Sequence, residues 1–340
     1  MRLWISGSAG SKLLPLHRRP HNRLGLILLA LILLGAIALA ASIGATSLSW
    51  RALIAGDATT RTIFFDIRLP RTILAALIGA ALAVAGVTFQ TLLRNPLADP
   101  FILGVSGGAA SGAAIATAFG LARRVPGIVP PMAFLGACAA TGAVFLLARR
   151  REYTDPTRLL LSGLVLNAFF SAVILICFAL SPQGDLTAAL KWMMGTLFAA
   201  QWSDVVLLLV LLIVTMAVLV SIANDLRLFA FGEEDAKSRG VAVERVKIIG
   251  FITASIVTGA AVAVSGIIGF VGLLVPHLVR MIWRRDFRDL LPLSALAGGT
   301  LVVLADLLSR IVIQPSELPI GAFTAVLGVP FFLMLLRRSR

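Results

Sequence analysis

Three groupings in this sequence could do chemistry. Gly104-Val105-Ser106-Gly107-Gly108 fits the GxSxG pattern of a hydrolytic serine and the GxSG of intramembrane serine proteases, with His277 as an imaginable base. Asp306 and Arg310 stand four apart, the spacing of an ion pair on one helix face. Phe231-Gly232-Glu233-Glu234-Asp235-Ala236-Lys237-Ser238-Arg239-Gly240 sets three acids ahead of two bases and a glycine. The serine is the weakest of these. A hydrolase elbow needs a strand before it, whereas Ser106 opens an apolar run, and serine beside glycine is common where spans pack on small residues. Loss of substrate cleavage in Ser106→Ala would be needed to revive a protease. Other chemistry is missing outright. There is no GxxxxGK[ST], so no phosphate loop. His17 and His21 lie in a basic leader, no HExxH or CxxC occurs, and Cys138 and Cys177 sit in apolar runs as small packing residues. No metal or cofactor is expected on this chain.

The elements that must carry these residues are membrane spans. Of 340 residues 59% are apolar, about 200, enough for roughly ten spans of ~20 residues. Charged residues are 14%, against about 25% in soluble domains. That excludes a cytoplasmic enzyme, a disordered chain and a secreted disulfide scaffold. Apolar runs place spans at 24–43, 72–93, 101–120, 128–148, 159–180, 203–223, 246–265, 267–283, 289–309 and 319–336. The division between the seventh and eighth rests on Ser265-Gly266 alone. Residues 1–23 form a basic leader before an uncleaved first span, and 24–340 a single transmembrane domain. Gly104, Gly108 and Gly112, four apart, with Gly79 and Gly86, predict close helix packing. Segment 181–202 reads as a short half-helix or an interfacial helix held by Trp192 and Trp202.

The net charge of +14 comes from 30 Lys+Arg against 16 Asp+Glu. With ten spans both termini share a side, and placing them in the cytoplasm puts 22 basic residues inside and 8 outside. That bias predicts N-in, C-in. It also removes any need for nucleic acid to explain the charge.

The loops then become specific. Arg94-Asn95-Pro96-Leu97-Ala98-Asp99-Pro100 and Asp155-Pro156-Thr157-Arg158 are cytoplasmic reversals rich in turn formers, either plain connections or a rigid constriction at an inner mouth. Segment 224–247 is the longest cytoplasmic polar stretch between spans. Its residues 231–240 read as a short helix with acids in the first turn, bases in the last and Gly240 at C′. It would suit docking of a soluble partner, or be a solvated linker. On the outer side Arg68-Leu69-Pro70-Arg71 opens the second span and Arg310 closes the ninth. The arginines are either paired locally, as Asp306–Arg310, or a basic patch for external carboxylates.

Taken together these stretches resemble the FecCD-like permease family, the membrane subunits of binding-protein-dependent ABC importers for iron-siderophores, haem and cobalamin. The matching runs are Arg68-Leu-Pro-Arg71, Asn95-Pro-Leu-Ala-Asp-Pro100 with Gly104-Val-Ser-Gly107, Arg158-Leu-Leu-Leu-Ser-Gly163, Trp192-Met-Met-Gly195, Gly266-Ile-Ile-Gly-Phe-Val-Gly-Leu-Leu-Val-Pro-His277 with Arg280, and Glu317-Leu-Pro-Ile-Gly321. They run in order from the second span to the tenth. The resemblance implies an all-α polytopic permease of the type II ABC importer kind in the bacterial inner membrane. It implies a homodimer with the pathway between copies, lined largely by the fifth span. Two cytoplasmic ATPase subunits, which bind ATP and Mg²⁺, would dock on Gly232, Glu233, Glu234, Ala236, Arg239 and Gly240. A periplasmic binding protein would meet Arg68, Arg71 and Arg310. The inner gate would be Asn95 and Leu97, with Pro156 and Thr157 opposite. Asp155-Pro156-Thr157 stands where some relatives carry Ser/Thr only.

The expected activity is passage of haem or a ferric siderophore, with cobalamin the nearest alternative and no bond chemistry on this chain. A secondary transporter, the rival of another class, needs ionisable groups at mid-membrane. Most acids here sit in loops or at span ends.

Overall fold

The computed structural model describes residues 21–44, 50–149, 153–181, 183–229, 232–283, 286–313 and 316–338. Most of the expected leader, and Phe231, lie outside the described residues. Among the described residues every regular element is helical. Its elements are α1 (His21–Ser42), α2 (Trp50–Ile54), α3 (Ala58–Thr62), a π-helical stretch Ile63–Arg68, α4 (Leu69–Leu92), α5 (Val105–Ala118), α6 (Leu121–Arg124), α7 (Val129–Ala148), α8 (Pro156–Leu180) and α9 (Gln183–Met193). There follow α10 (Trp202–Ser221), α11 (Ala223–Leu228), α12 (Glu233–Ser238), α13 (Val243–Ser265), α14 (Val271–Trp283), α15 (Phe287–Ile311) and α16 (Ile320–Arg338). Among the described residues the extended backbone pairs only at the isolated bridge Arg149–Thr154.

Each of the ten expected spans coincides with a helix, but among the described residues seven are long and apolar enough to cross a bilayer. The other three are α5 and α14, with 14 and 13 residues, and α16, whose apolar part runs only Ile320–Phe331. At 1.5 Å per residue α5 and α14 reach only about 20 Å, two-thirds of a hydrocarbon core. Irregular backbone precedes each of these two, Leu93–Gly104 before α5 and Gly266–Phe270 before α14. Such backbone is tolerated at membrane depth only inside protein or beside a cavity. The separation at Ser265-Gly266 is real: Gly266 ends α13 with φ +70, and Phe270 also takes a left-handed φ of +67. The second span is longer than its apolar run, because α3 and the π-helical stretch extend α4 continuously from Ala58. Trp202 Nε1 donates to Phe65 O at 3.0 Å beside that stretch.

α4 is the most deeply buried long helix and α8 the most exposed. α4 packs on α15, α13, α14 and α10, while α5 packs on α7 and α8. The glycines explain the proximity. A Cβ on Gly79 would lie 2.1 Å from Gly298 O, one on Gly86 1.9 Å from Gly272 O, and one on Gly108 2.4 Å from Gly136 O. In lipid there is no hydrophobic force between helices, so backbone-to-backbone contact of this kind supplies the dispersion that holds the bundle.

Candidate functional site

At one end of the bundle, α12 forms as its charge order dictates. Glu233, Glu234 and Asp235 fill its first turn. Gly240 closes it at φ +83, donating to Lys237 O at 2.9 Å while Val241 N donates to Ala236 O at 3.1 Å. This is the Schellman geometry expected of a C′ glycine. Ala236 is fully buried and pins the helix, whereas Glu234, Arg239 and Gly240 are exposed. Gly232 precedes the helix with φ +124, and Glu233 is half-buried.

Glu233 turns inward to a group that sequence reasoning missed. Lys247 of α13, only 4% exposed, directs its ammonium at Glu233 Oε2 (2.7 Å), Thr154 O (2.7 Å) and Glu244 Oε1 (3.5 Å). Glu244 Oε2 accepts from Thr154 N at 3.0 Å and from Thr154 Oγ1 at 2.9 Å. The next residue, Asp155, caps α8 by accepting from Thr157 N at 2.9 Å. Pro156 takes the first helical position, where no N–H is needed. Thr157 is exposed beside it.

The second expected gate loop starts at the end of α4. Arg94 adopts φ +48 and Asn95 N donates to Gln90 O at 3.2 Å. Asn95 Oδ1 accepts from Leu97 N at 2.9 Å, an Asx turn that leaves Leu97 exposed. The same loop is clamped to α8: Asn167 Nδ2 donates to Phe101 O at 2.8 Å, and a Cβ on Gly163 would lie 2.4 Å from Ile102 O. Both expected gate segments are thus fastened to α8, one at its first residue and one about two to three turns in, at Gly163 and Asn167. Asp99 is buried in this loop, with Oδ1 accepting from Phe101 N at 2.8 Å. It borders a cavity of about 460 Å³ shared by Phe101, Met193, Phe270 and Leu273. Nearby, Gln90 donates to Gly272 O at 3.0 Å and accepts from Arg280.

At the opposite end the structure brings Arg68, Arg71 and Arg310 together, and buries all three. Arg71 forks onto Glu317, Nη1 to Oε1 at 2.9 Å and Nη2 to Oε2 at 3.0 Å, and also reaches Asp306 Oδ1 at 2.9 Å. Arg310 lies 3.1 Å from Asp306 Oδ2, the i,i+4 pair anticipated from spacing, and donates to Ala40 O at 3.1 Å and Ile43 O at 3.3 Å. Arg68 donates to Ser42 O at 2.9 Å. The last carbonyls of α1 are therefore satisfied by arginines from α15 and from the approach to α4, a cation at a helix C-terminus. None of the three guanidiniums forms an open surface patch, and Glu317 is the exposed part of the cluster. Further along this end, Thr60 donates to Asp57, holding its carboxyl below the usual range.

Ser106 is buried on α5, its hydroxyl without a hydrogen-bond partner, and α5 follows a left-handed Gly104 rather than a strand. His277 rests against the Phe331 ring instead.

Residues 27–338 match the FecCD transport family. The chain belongs to that family. The hemin transport system permease protein of Yersinia pestis is 40% identical over 334 residues, 95% of this chain and 97% of the relative. The cobalamin import system permease protein of Halobacterium salinarum is 44% identical over 279 residues, 82% of this chain and 74% of that one. A solved structure of a metal-chelate type ABC transporter in an inward-facing conformation superposes with a TM-score of 0.82 at 31% identity, covering 92% of this chain and 98% of that one. The FecCD chain described here is therefore a multi-pass membrane permease. The resemblance read from Arg68-Leu-Pro-Arg71 through Glu317-Leu-Pro-Ile-Gly321 was to the right family.

Proposed function

We propose that this chain is the membrane-spanning subunit of a binding-protein-dependent ABC importer that admits haem or a ferric siderophore to the cytoplasm. The observation that carries the reading is the 40% identity, along nearly the whole of both chains, to a hemin permease. The cobalamin relative supports the alternative cargo. Two copies enclose the pathway. The long exposed face of α8, with Leu164, Val165 and Phe169 outward, is available for the second copy.

The positive-inside bias puts the α12 end, with both termini, in the cytoplasm. There Glu234, Arg239 and Gly240 face outward for an ATPase subunit, which binds ATP and Mg²⁺, while Gly232, Glu233 and Ala236 hold the helix to the bundle. Asn95 and Leu97 on one loop, with Pro156 and Thr157 in the first turn of α8, constrict the inner mouth. Because that loop is bonded to α8, a small rotation of the helix moves both together, and alternating access is a shift between two packings.

The substrate-binding protein docks at the other end. Arg71 becomes available to its carboxylates when Glu317 yields the fork. Arg68 and Arg310 add positive potential to that encounter while keeping α1, α4 and α15 in register.

The test is reconstitution with the ATPase and binding protein in vesicles, offering hemin, ferric citrate and cyanocobalamin in turn. ATP-dependent uptake of hemin or the iron chelate is expected. Uptake by the permease alone on an ion gradient would replace this reading with a secondary transporter.

A further inference from the structure

We infer that Lys247 is a positioning residue that transmits displacement of α12 to the N-terminus of α8, through one ammonium shared by Glu233 and the backbone of Thr154. This rests on the reading of α12 as the surface gripped by an ATPase.

An ammonium has three donors and no acceptor. Here three oxygens from three places receive them: Glu233 on α12, Glu244 one turn earlier on α13, and the carbonyl of Thr154 in the loop before α8. The cluster is closed on its far side, because the other oxygen of Glu244 takes both the N–H and the hydroxyl of Thr154. Thr154 is itself almost fully buried and is paired with Arg149 at the end of α7. From Thr154 the chain needs one residue to reach the Asp155 cap and two to reach Pro156. The path from α12 to the gate loop is therefore two charge-assisted contacts and two peptide units long.

Two features distinguish a transmitting contact from a generic brace. The first is stiffness. Both short contacts are 2.7 Å and the Lys247 side chain is only 4% exposed, so a one-ångström displacement of Glu233 either carries Lys247 and Thr154 along or leaves the ammonium with Glu244 alone among its carboxylates, at 3.5 Å. The second is placement. Among the described elements α12 touches only α11 and α13 closely, and its apolar anchor is the small side chain of Ala236. That methyl group holds α12 in place but makes no directional bond to the loop before α8. The ion pair with Glu233 ties its motion to α8.

The experiment compares wild type with Lys247→Met, Lys247→Arg and Glu233→Gln in the full permease–ATPase–binding-protein complex in vesicles, using hemin. It reads hemin accumulated per ATP hydrolysed, alongside complex assembly by size exclusion. Lys247→Met and Glu233→Gln should raise the ATP cost per hemin about tenfold, and in Lys247→Met hydrolysis should stay within about twofold of wild type. Lys247→Arg, which keeps charge and several donors, should restore most of the ratio. A mere brace would lower assembly and hydrolysis together and leave the ratio alone; that outcome overturns the inference. So does a wild-type ratio in Glu233→Gln, which retains every other partner of Lys247 and decides the matter if Lys247→Met fails to assemble. Wild-type vesicles with no ATP-dependent hemin uptake would sink the haem reading first. Repetition with ferric citrate and cyanocobalamin then separates a wrong cargo from a wrong mechanism, and failure with all three removes the inference as well.

Discussion

Replacing Asp306 by asparagine should loosen the bundle far more than removing the exposed charge beside it. Asp306 is fully buried and serves two arginines, Oδ1 at 2.9 Å from Arg71 and Oδ2 at 3.1 Å from Arg310. The isosteric amide keeps the volume and one acceptor but removes the charge shared by Arg71 and Arg310, leaving Glu317 as the carboxylate paired with Arg71. Breaking a buried pair by neutralising one partner costs about 3–5 kcal/mol. The lower end applies here, because Arg71 keeps both oxygens of Glu317 and Arg310 keeps the carbonyls of Ala40 and Ile43. About 3 kcal/mol, set against the unfolding entropy of a chain this long, lowers the thermal midpoint by about 4 °C. Glu317, with a side chain 38% exposed, is screened by solvent, and Glu317→Gln should lose about 1 kcal/mol or less. Thermal unfolding of the purified permease in one detergent, followed by tryptophan fluorescence, measures both. A midpoint for Asp306→Asn within 1 °C of wild type, or a larger loss in Glu317→Gln, would refute the argument that this carboxylate ties α1, α4 and α15 together.

Charge reversal at Arg68, Arg71 and Arg310 should weaken binding-protein docking and also unfold the bundle, so pull-down must be read beside the melting curve; docking loss in a fully stable triple variant would show the arginines to be less integral than their burial indicates. Gly86→Leu cannot be accommodated, since even its Cβ would lie 1.9 Å from the backbone of Gly272. Overpacking of this kind costs roughly 3 kcal/mol or more, and a normal yield of monodisperse protein would contradict it. Glu234→Lys with Arg239→Glu acts on exposed side chains and should leave the melting midpoint unchanged while abolishing ATPase co-purification; retained co-purification would move the docking surface elsewhere. Thr157→Cys, if that residue faces its counterpart at the gate, should cross-link two copies under oxidation and block uptake, and cross-linking without loss of uptake would count against the gate.

Much of this protein was legible as one-dimensional pattern. Apolar run length placed a helix at each of the ten expected spans, seven of them long and apolar enough to cross among the described residues. Charge order with Gly240 predicted α12 and its cap, glycine spacing announced the close helix contacts, and the Asp306–Arg310 interval foretold a pair. These are local properties, decided within a few residues by helix period and by solvation in lipid. What composition could not supply was depth. The runs at 101–120 and 267–283 look like full spans, yet α5 and α14 are too short to cross, because the backbone turns at left-handed Gly104 just before α5 and at Gly266, which ends α13 ahead of α14. Nor could the linear order show that Arg71 meets Glu317, 246 positions later, or that Lys247 of one polar segment reaches the loop before α8. A charge drawn beside a span reads as surface until its partners are known. In lipid a buried charge must find an opposite charge or a carbonyl wherever the fold brings one, and only the tertiary arrangement says that these arginines and this lysine did so indoors.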